Sequence, residues 1–257
     1  MRHIAFFAFG FAAVLFCCAA IDAQNSTQNP TISFEPTTVE FGKHTTIEDA
    51  WSKAYGRVTR PREKGELRET VEYAKEHGLT EGMGISGVSC CSGIPGEPPP
   101  PLERLRWMAC GSDAIVLGSA KRTAAHLFDD DSYVYTSYDF IAKEILRDNP
   151  ANHIERGAMI QLTLPGGFVM IDGIKILAEM EDEKPLLPGP YYVMFLRYVP
   201  GADGYMLSDR AEIYVINGNA YETMAVGCSS AGLPRKGATD ELLSFVRTAA
   251  AGPCETK

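Results

Sequence analysis

The spacing of hydrophobic and polar positions changes along the chain, and each change predicts a different element. Ile47, Trp51, Ala54, Tyr55 and Val58 recur at helical intervals behind a Thr45/Glu48 capping box, which predicts a helix ending near Thr59, ahead of Pro61. A second helix is expected from Pro61 through Leu67, Val71 and Ala74 to Gly78. Both are amphipathic, so each must pack on something. Before them, "TISFEP" and "TTVEF" are candidate short edge strands. From about Leu105 the spacing becomes that of strands. "DAIVLGSAKRTAAHLF" and "SYVYTSYDFIAKEIL" form an expected hairpin across Asp129, Asp130 and Asp131, and "GAMIQLTL" and "FVMIDGIKIL" a second across Pro165, Gly166 and Gly167. "PYYVMFLRYV" leads to Asp203-Gly204, and "AEIYVI" meets "AYETMAV" across Asn217-Gly218. Tyr133 and Tyr135 share one parity while Phe140, Ala142 and Leu146 share the other. A strand that swaps its inward face needs a bulge or a sharp coil, as in a small barrel whose long strands turn a corner. Thr239 then caps a closing helix through Leu242, Leu243, Phe245 and Val246, stopped by Gly252-Pro253.

This pattern predicts a mainly β protein, α+β overall: a small antiparallel OB-like barrel of five to six strands with an N-terminal helical segment and a C-terminal helix. Residues 1–23 read as a secretory signal peptide, with Arg2, an apolar run from Ile4 to about Ala20 and small residues before Gln24. Residues 24–80 form the segment with two helices, 81–104 a Gly/Pro-rich linker, 105–250 the barrel with its closing helix, and 251–257 a tail. No membrane span is expected after signal cleavage, and the product is expected to be exported, periplasmic or secreted.

The stretches "SDAIVLGSAKR", "DDSYVYTSYDFIAKEILRDN", "GAMIQLTLPGG" and "PLLPGPYYVMFLRYVPGADGYML" resemble a family of uncharacterised exported bacterial proteins, over roughly residues 110–221. The resemblance implies a small OB-type barrel and brings no activity and no catalytic residues. The chain departs from that pattern at Ala158, where an acid is common, and in its two-cysteine N-terminal segment.

Composition narrows the chemistry. At 45% hydrophobic and 22% charged residues the chain has the make-up of a globular protein. A formal net charge of -9 argues against nucleic acid, which draws most of its affinity from Lys and Arg neutralising phosphates. Gly82 to Gly87 spells G-x-G-x-x-G, but a dinucleotide cradle requires a strand before it and a helix opening after it, whereas here a helix precedes and Cys-Cys and prolines follow. The disulfide candidates are Cys90, Cys91, Cys110, Cys228 and Cys254, with Cys110–Cys228 and one of Cys90 or Cys91 with Cys254 as the expected pairs. The count is odd, so one cysteine is free, bound to another group or paired between chains. His44, His77, His126 and His153 are widely spaced, with no metal-ligand motif, and Asp129 to Asp131 lacks the glycine and distal glutamate of a calcium loop. No nucleophile elbow is present. No catalytic, cofactor-binding or metal-binding residues and no cofactor are therefore assigned. Tyr133, Tyr135 and Tyr138 are candidate ligand-face aromatics, because OB-type barrels bind extended polymers on exposed strand rings, although tyrosine is also simply favoured in strands.

The expectation for function is an exported, non-enzymatic binding or structural module for a protein or a polymer such as a glycan. The alternative is a secreted hydrolase or thiol-disulfide enzyme whose site is assembled from distant residues.

Overall fold

The computed structural model describes residues 35–55, 59–61, 65–81, 83–89, 100–180, 185–208, 213–224 and 236–254. The protein is mainly β. The strands are β1 (Thr37–Thr38), β2 (Thr59–Pro61), β3 (Met83–Ser89), β4 (Ala114–Leu127), β5 (Val134–Arg147), β6 (Met159–Pro165), β7 (Gly167–Ile171), β8 (Ile174–Met180), β9 (Tyr191–Val199), β10 (Gly204–Leu207), β11 (Ile213–Asn217), β12 (Ala220–Met224) and β13 (Lys236–Ala238). The helices are α1 (Thr46–Tyr55), α2 (Glu66–Glu76), α3 (Pro101–Cys110) and α4 (Thr239–Ala251).

Local signals place α1 and the hairpin turns. Thr45 N–H donates to Glu48 Oε2 at 2.6 Å, and Glu48 N–H to Thr45 Oγ1 at 3.2 Å, so the capping box starts α1 where the sequence places it. Helix α2 begins at Glu66 rather than Pro61, because Pro61 ends β2, and Gly78 follows the helix at a φ of 65°. β4 and β5 pair antiparallel across the Asp129–Asp131 turn, and β11 and β12 across Asn217-Gly218.

Two sheets result. One has eight strands in the order β10-β6-β5-β4-β9-β11-β12-β13, and the other five in the order β1-β7-β8-β3-β2. β10 also pairs with β9, so hydrogen bonding runs from β4 through β5, β6, β10 and β9 back to β4, with β10 parallel to β6. β11, β12 and β13 carry the same sheet onward, so it is not a clear barrel.

Three expectations are corrected. Pro165, Gly166 and Gly167 are a change of sheet rather than a hairpin turn: β6 stays on β5, while β7 pairs with β8 across Asp172-Gly173. Gly167 has a φ of 151°, and a Cβ there would lie 2.2 Å from Thr136 Oγ1, so only glycine fits that crossing. The 81–104 stretch is not simply a linker. β3 lies between β8, to which it is parallel, and β2, and α3 starts at Pro101. The G-x-G-x-x-G string therefore falls on a strand, with Gly82 itself outside the described residues. The expected five or six strands also omitted the second sheet, of which β1, β2 and β3 precede the eight-stranded one in sequence and β7 and β8 are inserted between its β6 and β9.

β4 and β5 explain the parity swap. Ala114, Val116 and Ala120 of β4, with Tyr138, Phe140 and Ala142 of β5, enter one core with Leu162, Met194 and Tyr205. Ile115 and Leu117 face the other way, onto α3 and α4, against Leu105, Met108, Val246 and Ala249. Past a register break between Arg122 and Ala124, Ala125, Leu127, Val134 and Tyr135 join a third core with Trp51 and Tyr55 of α1 and Leu67 and Val71 of α2. Each strand thus crosses from one core to another at the irregularity its pattern predicts.

Candidate functional site

His126 lies on β4 between the buried Ala125 and Leu127, so its side chain points to the opposite face from theirs and meets the N-terminal segment. That segment runs through β1, turns at Phe41-Gly42 and enters α1, bringing Glu48 to the imidazole: His126 Nδ1 lies 3.0 Å from Glu48 Oε1. The two side chains are 29% and 17% exposed. The ring stacks on Tyr135, with centroids 5.0 Å apart and planes 17° from parallel. Thr37, Thr38, Val39, Glu40, Lys43, Glu48, Ala125, His126 and Leu127 line an open hollow of about 270 Å³.

The charge in this hollow is arranged. Burial works to raise the Glu48 pKa, but the Thr45 N–H and the His126 contact outweigh it and hold the carboxyl below its ordinary value. Burial, and after it the negative charge of Glu48, push the Tyr135 phenol far above its ordinary value, so it stays protonated. A carboxylate can only accept, so His126 donates from Nδ1; no partner for Nε2 occurs among the described residues. At the mouth, Lys43 Nζ is 2.5 Å from Glu40 Oε2.

Asp131, beside this hollow in sequence neighbours but at the hairpin tip, gathers a second polar node. It accepts from Gly42 N–H at 3.1 Å and from Arg68 Nη2 at 2.8 Å, and His44 Nε2 lies 3.0 Å from its Oδ1. The Arg68 guanidinium also covers the Phe41 ring at 4.2 Å. Asp131 has a φ of 56°, a left-handed conformation that Asp tolerates better than most residues.

The residues singled out from sequence fall elsewhere. Tyr133, Tyr135 and Tyr138 are buried, which removes them as an exposed stacking face. Tyr133 donates its hydroxyl to Glu179 O at 2.6 Å, and Tyr135 packs on Tyr55 and Phe128. Cys110 lies at disulfide distance from Cys254, with Cα atoms 5.4 Å apart, in place of the expected Cys110–Cys228 pair and of a Cys254 pair with Cys90 or Cys91. Cys90, Cys91 and Cys228 lie outside the described residues. His44, His77, His126 and His153 are not brought together: His77 stacks on Tyr73 at the end of α2, and His153 contacts Asp148 in the loop after β5. Among the described residues no three His, Cys, Asp or Glu side chains are grouped to hold a metal ion, and no helix is long and apolar enough to cross a membrane. Sequence reasoning missed the Glu48–His126 pair, which spans 78 positions; the one local sign was a histidine flanked by inward-facing residues.

No family model, no curated protein and no solved structure matches the chain. The resemblance to exported bacterial proteins therefore rests on the quoted stretches alone.

Proposed function

We propose that the protein is an exported, non-enzymatic module that binds a protein or polymer ligand on the outer face of a small OB-like barrel. The barrel reading is supported by the cyclic pairing of β4, β5, β6, β10 and β9, in which the third and fifth strands of the ring in chain order, β6 and β10, run parallel. Export is supported by the Cys110–Cys254 pair, since disulfides persist in oxidising compartments.

The observation that carries binding is on β5 and β6. Ile141 and Met159 stand directly opposite each other and are 49% and 62% exposed. Two positions along, Lys143 falls at the register break of β4 and β5 and places its ammonium 3.9 Å from the centre of the exposed Tyr191 ring on β9. Gln161 donates to Asp139 at 2.7 Å on the other side of the pair. An apolar pair flanked by a ring, a cation and an amide suits a ligand with both apolar and hydrogen-bonding parts.

The test is a panel of insoluble polysaccharides, cell-wall material and displayed peptides. The folded protein is expected to retain one class, and Ile141→Glu with Met159→Glu to abolish retention without loss of fold. A retained ligand indifferent to that double substitution would sink the reading.

The hydrolase alternative draws on one observation, the imidazole held by Glu48. Among the described residues no hydroxyl or thiol is hydrogen-bonded to its Nε2, which leaves the nucleophile of such an enzyme without support.

A further inference from the structure

We propose that Cys110 is a site of thiolation by a small aliphatic thiol, with Cys254 as the sulfur that leaves. This is independent of the outer-face reading and uses none of Ile141, Met159 or Tyr191.

Cys110 and Cys254 are 144 positions apart in sequence and are joined as a disulfide. The two halves of that bond sit in different surroundings. Cys110 is the last residue of α3 and is exposed, whereas Cys254, just beyond the end of α4, is half-buried. An incoming thiolate therefore has its open approach at Cys110, and access helps to decide which sulfur is attacked.

Charge sets the same polarity. Arg147 Nη1 donates to Ala109 O at 2.5 Å, which fixes the guanidinium against the last turn of α3, and Nη2 lies 3.5 Å from Cys254 Sγ. Among the described residues no carboxylate pairs with Arg147; Glu144, earlier on β5, is taken by Arg247 of α4 at 2.9 Å. A guanidinium is always charged, so it favours a thiolate at Cys254 over a thiol. A second guanidinium, on Arg106, shares a face of α3 with Cys110 and reaches the turn that carries Cys254, its Nε 3.6 Å from where a Gly252 Cβ would lie. Cys110 has the opposite setting, because it ends a helix, where the dipole places partial negative charge and disfavours a thiolate. The better-stabilised thiolate leaves faster. Exposure, Arg147 and helix direction thus all name Cys110 as the sulfur attacked and Cys254 as the one released.

In the exchange, the external thiolate forms a new S–S bond to Cys110 Sγ as the Cys110–Cys254 bond breaks, and the electron pair of the broken bond stays on Cys254 Sγ beside Arg147. No electrons are gained or lost overall. One disulfide replaces another, and return attack by Cys254 on Cys110 expels the thiol and restores the pair. α3 and α4 stay packed meanwhile through Leu105, Met108, Val246 and Ala249, so the step does not require unfolding.

The test treats the folded chain briefly with mercaptoethanol at neutral pH, quenches with iodoacetamide and maps the adducts by mass spectrometry of peptides, so that Cys110 and Cys254 are read separately from the other cysteines. The expected result is mercaptoethanol on Cys110 and the alkyl group on Cys254. Arg147→Gln keeps a donor for Ala109 O while removing the charge; it should slow the exchange roughly fivefold and let the adduct appear on both sulfurs, and Arg147→Lys should restore rate and preference. A guanidinium that only attracted the incoming thiolate would draw it to Cys254, so the position of the adduct separates the two roles. An adduct on Cys254, an equal split or no adduct on either sulfur of the folded chain would overturn the proposal, as would a rate unchanged in Arg147→Gln. The wild-type map decides the matter even where that substitution disturbs the fold.

Discussion

The two ends of the β4–β5 hairpin are fastened by different chemistry. At the Ala114/Arg147 end, α3 and α4 lie on Ile115 and Leu117 and are tied to each other by Cys110–Cys254. Arg147 reinforces that end, with Nη1 donating to Ala109 O at 2.5 Å and Nη2 lying 3.5 Å from Cys254 Sγ. At the Leu127/Val134 end, α1 and α2 also bury an apolar stripe, but their tie is polar: Asp131 with Gly42, Arg68 and His44, and Glu48 with His126. The first end, held by a covalent tie and backed by the exposed Arg247–Glu144 ion pair, is expected to respond chiefly to reductant; the second, held by charged groups alone, is expected to respond chiefly to acid and salt. The open hollow sits at the polar end, where a fastening can be rearranged without breaking a covalent bond.

Substitution at the point both ends share should have the largest effect. Gly118 pairs with Ala142 on one side and Tyr192 on the other, and a Cβ there would lie 2.3 Å from Ile141 O and 2.5 Å from the Phe140 ring. Gly118→Val is expected to cost more than about 4 kcal/mol, enough to abolish folding, as read by circular dichroism. A folded variant with wild-type Tm would show that the strand tolerates a side chain where the register breaks.

Next comes the covalent end. Cys254→Ser should lose about 2–4 kcal/mol in urea unfolding, and reductant should lower wild-type stability while leaving the variant unchanged on this account. A variant as stable as the parent at every salt concentration would leave α4 held by packing alone.

At the polar end, Asp131→Ala removes an acceptor that is only 12% exposed and should cost about 1–3 kcal/mol, more than Asp131→Asn, which keeps both an acceptor and tolerance of the left-handed backbone. The comparison is sharpened by salt, which should weaken wild type toward the variant and leave Cys254→Ser with its full deficit.

The smallest effect concerns acid. The Glu48 pKa is depressed on folding, so its contribution is complete above the ordinary carboxylate value of 4.5 and is lost as pH falls through the lower folded value. Between those limits Tm should fall less steeply in Glu48→Gln than in wild type. Parallel slopes would remove Glu48 from the acid response.

What was legible in the sequence was local. The Thr45/Glu48 box, the Asp129–Asp131 and Asn217-Gly218 turns and the parity swap after Tyr135 each depend on residues within a few positions, and all four are found. The misreadings share a cause in long-range pairing. Met83–Ser89 is too rich in glycine to announce a strand, and becomes one because β8 and β2 flank it. Tyr133 and Tyr135 share one parity and Tyr138 has the other, and each parity is covered, the first by a core that includes α1 and α2 and the second by the core of the eight-stranded sheet. Cys254 finds Cys110 because α3 and α4 pack together, a contact that no spacing of cysteines encodes. The candidate site was invisible for the same reason, as Glu48 owes its local position to a cap and its partner to the fold.

The placement of β3 also dictates the order in which the molecule can be completed. Its neighbour β8 ends at Met180, so Met83–Ser89 has no parallel template until nearly a hundred further residues have been synthesised. Assembly of that sheet is thus deferred until most of the chain has been made, a delay of the kind that slows proteins dominated by distant contacts.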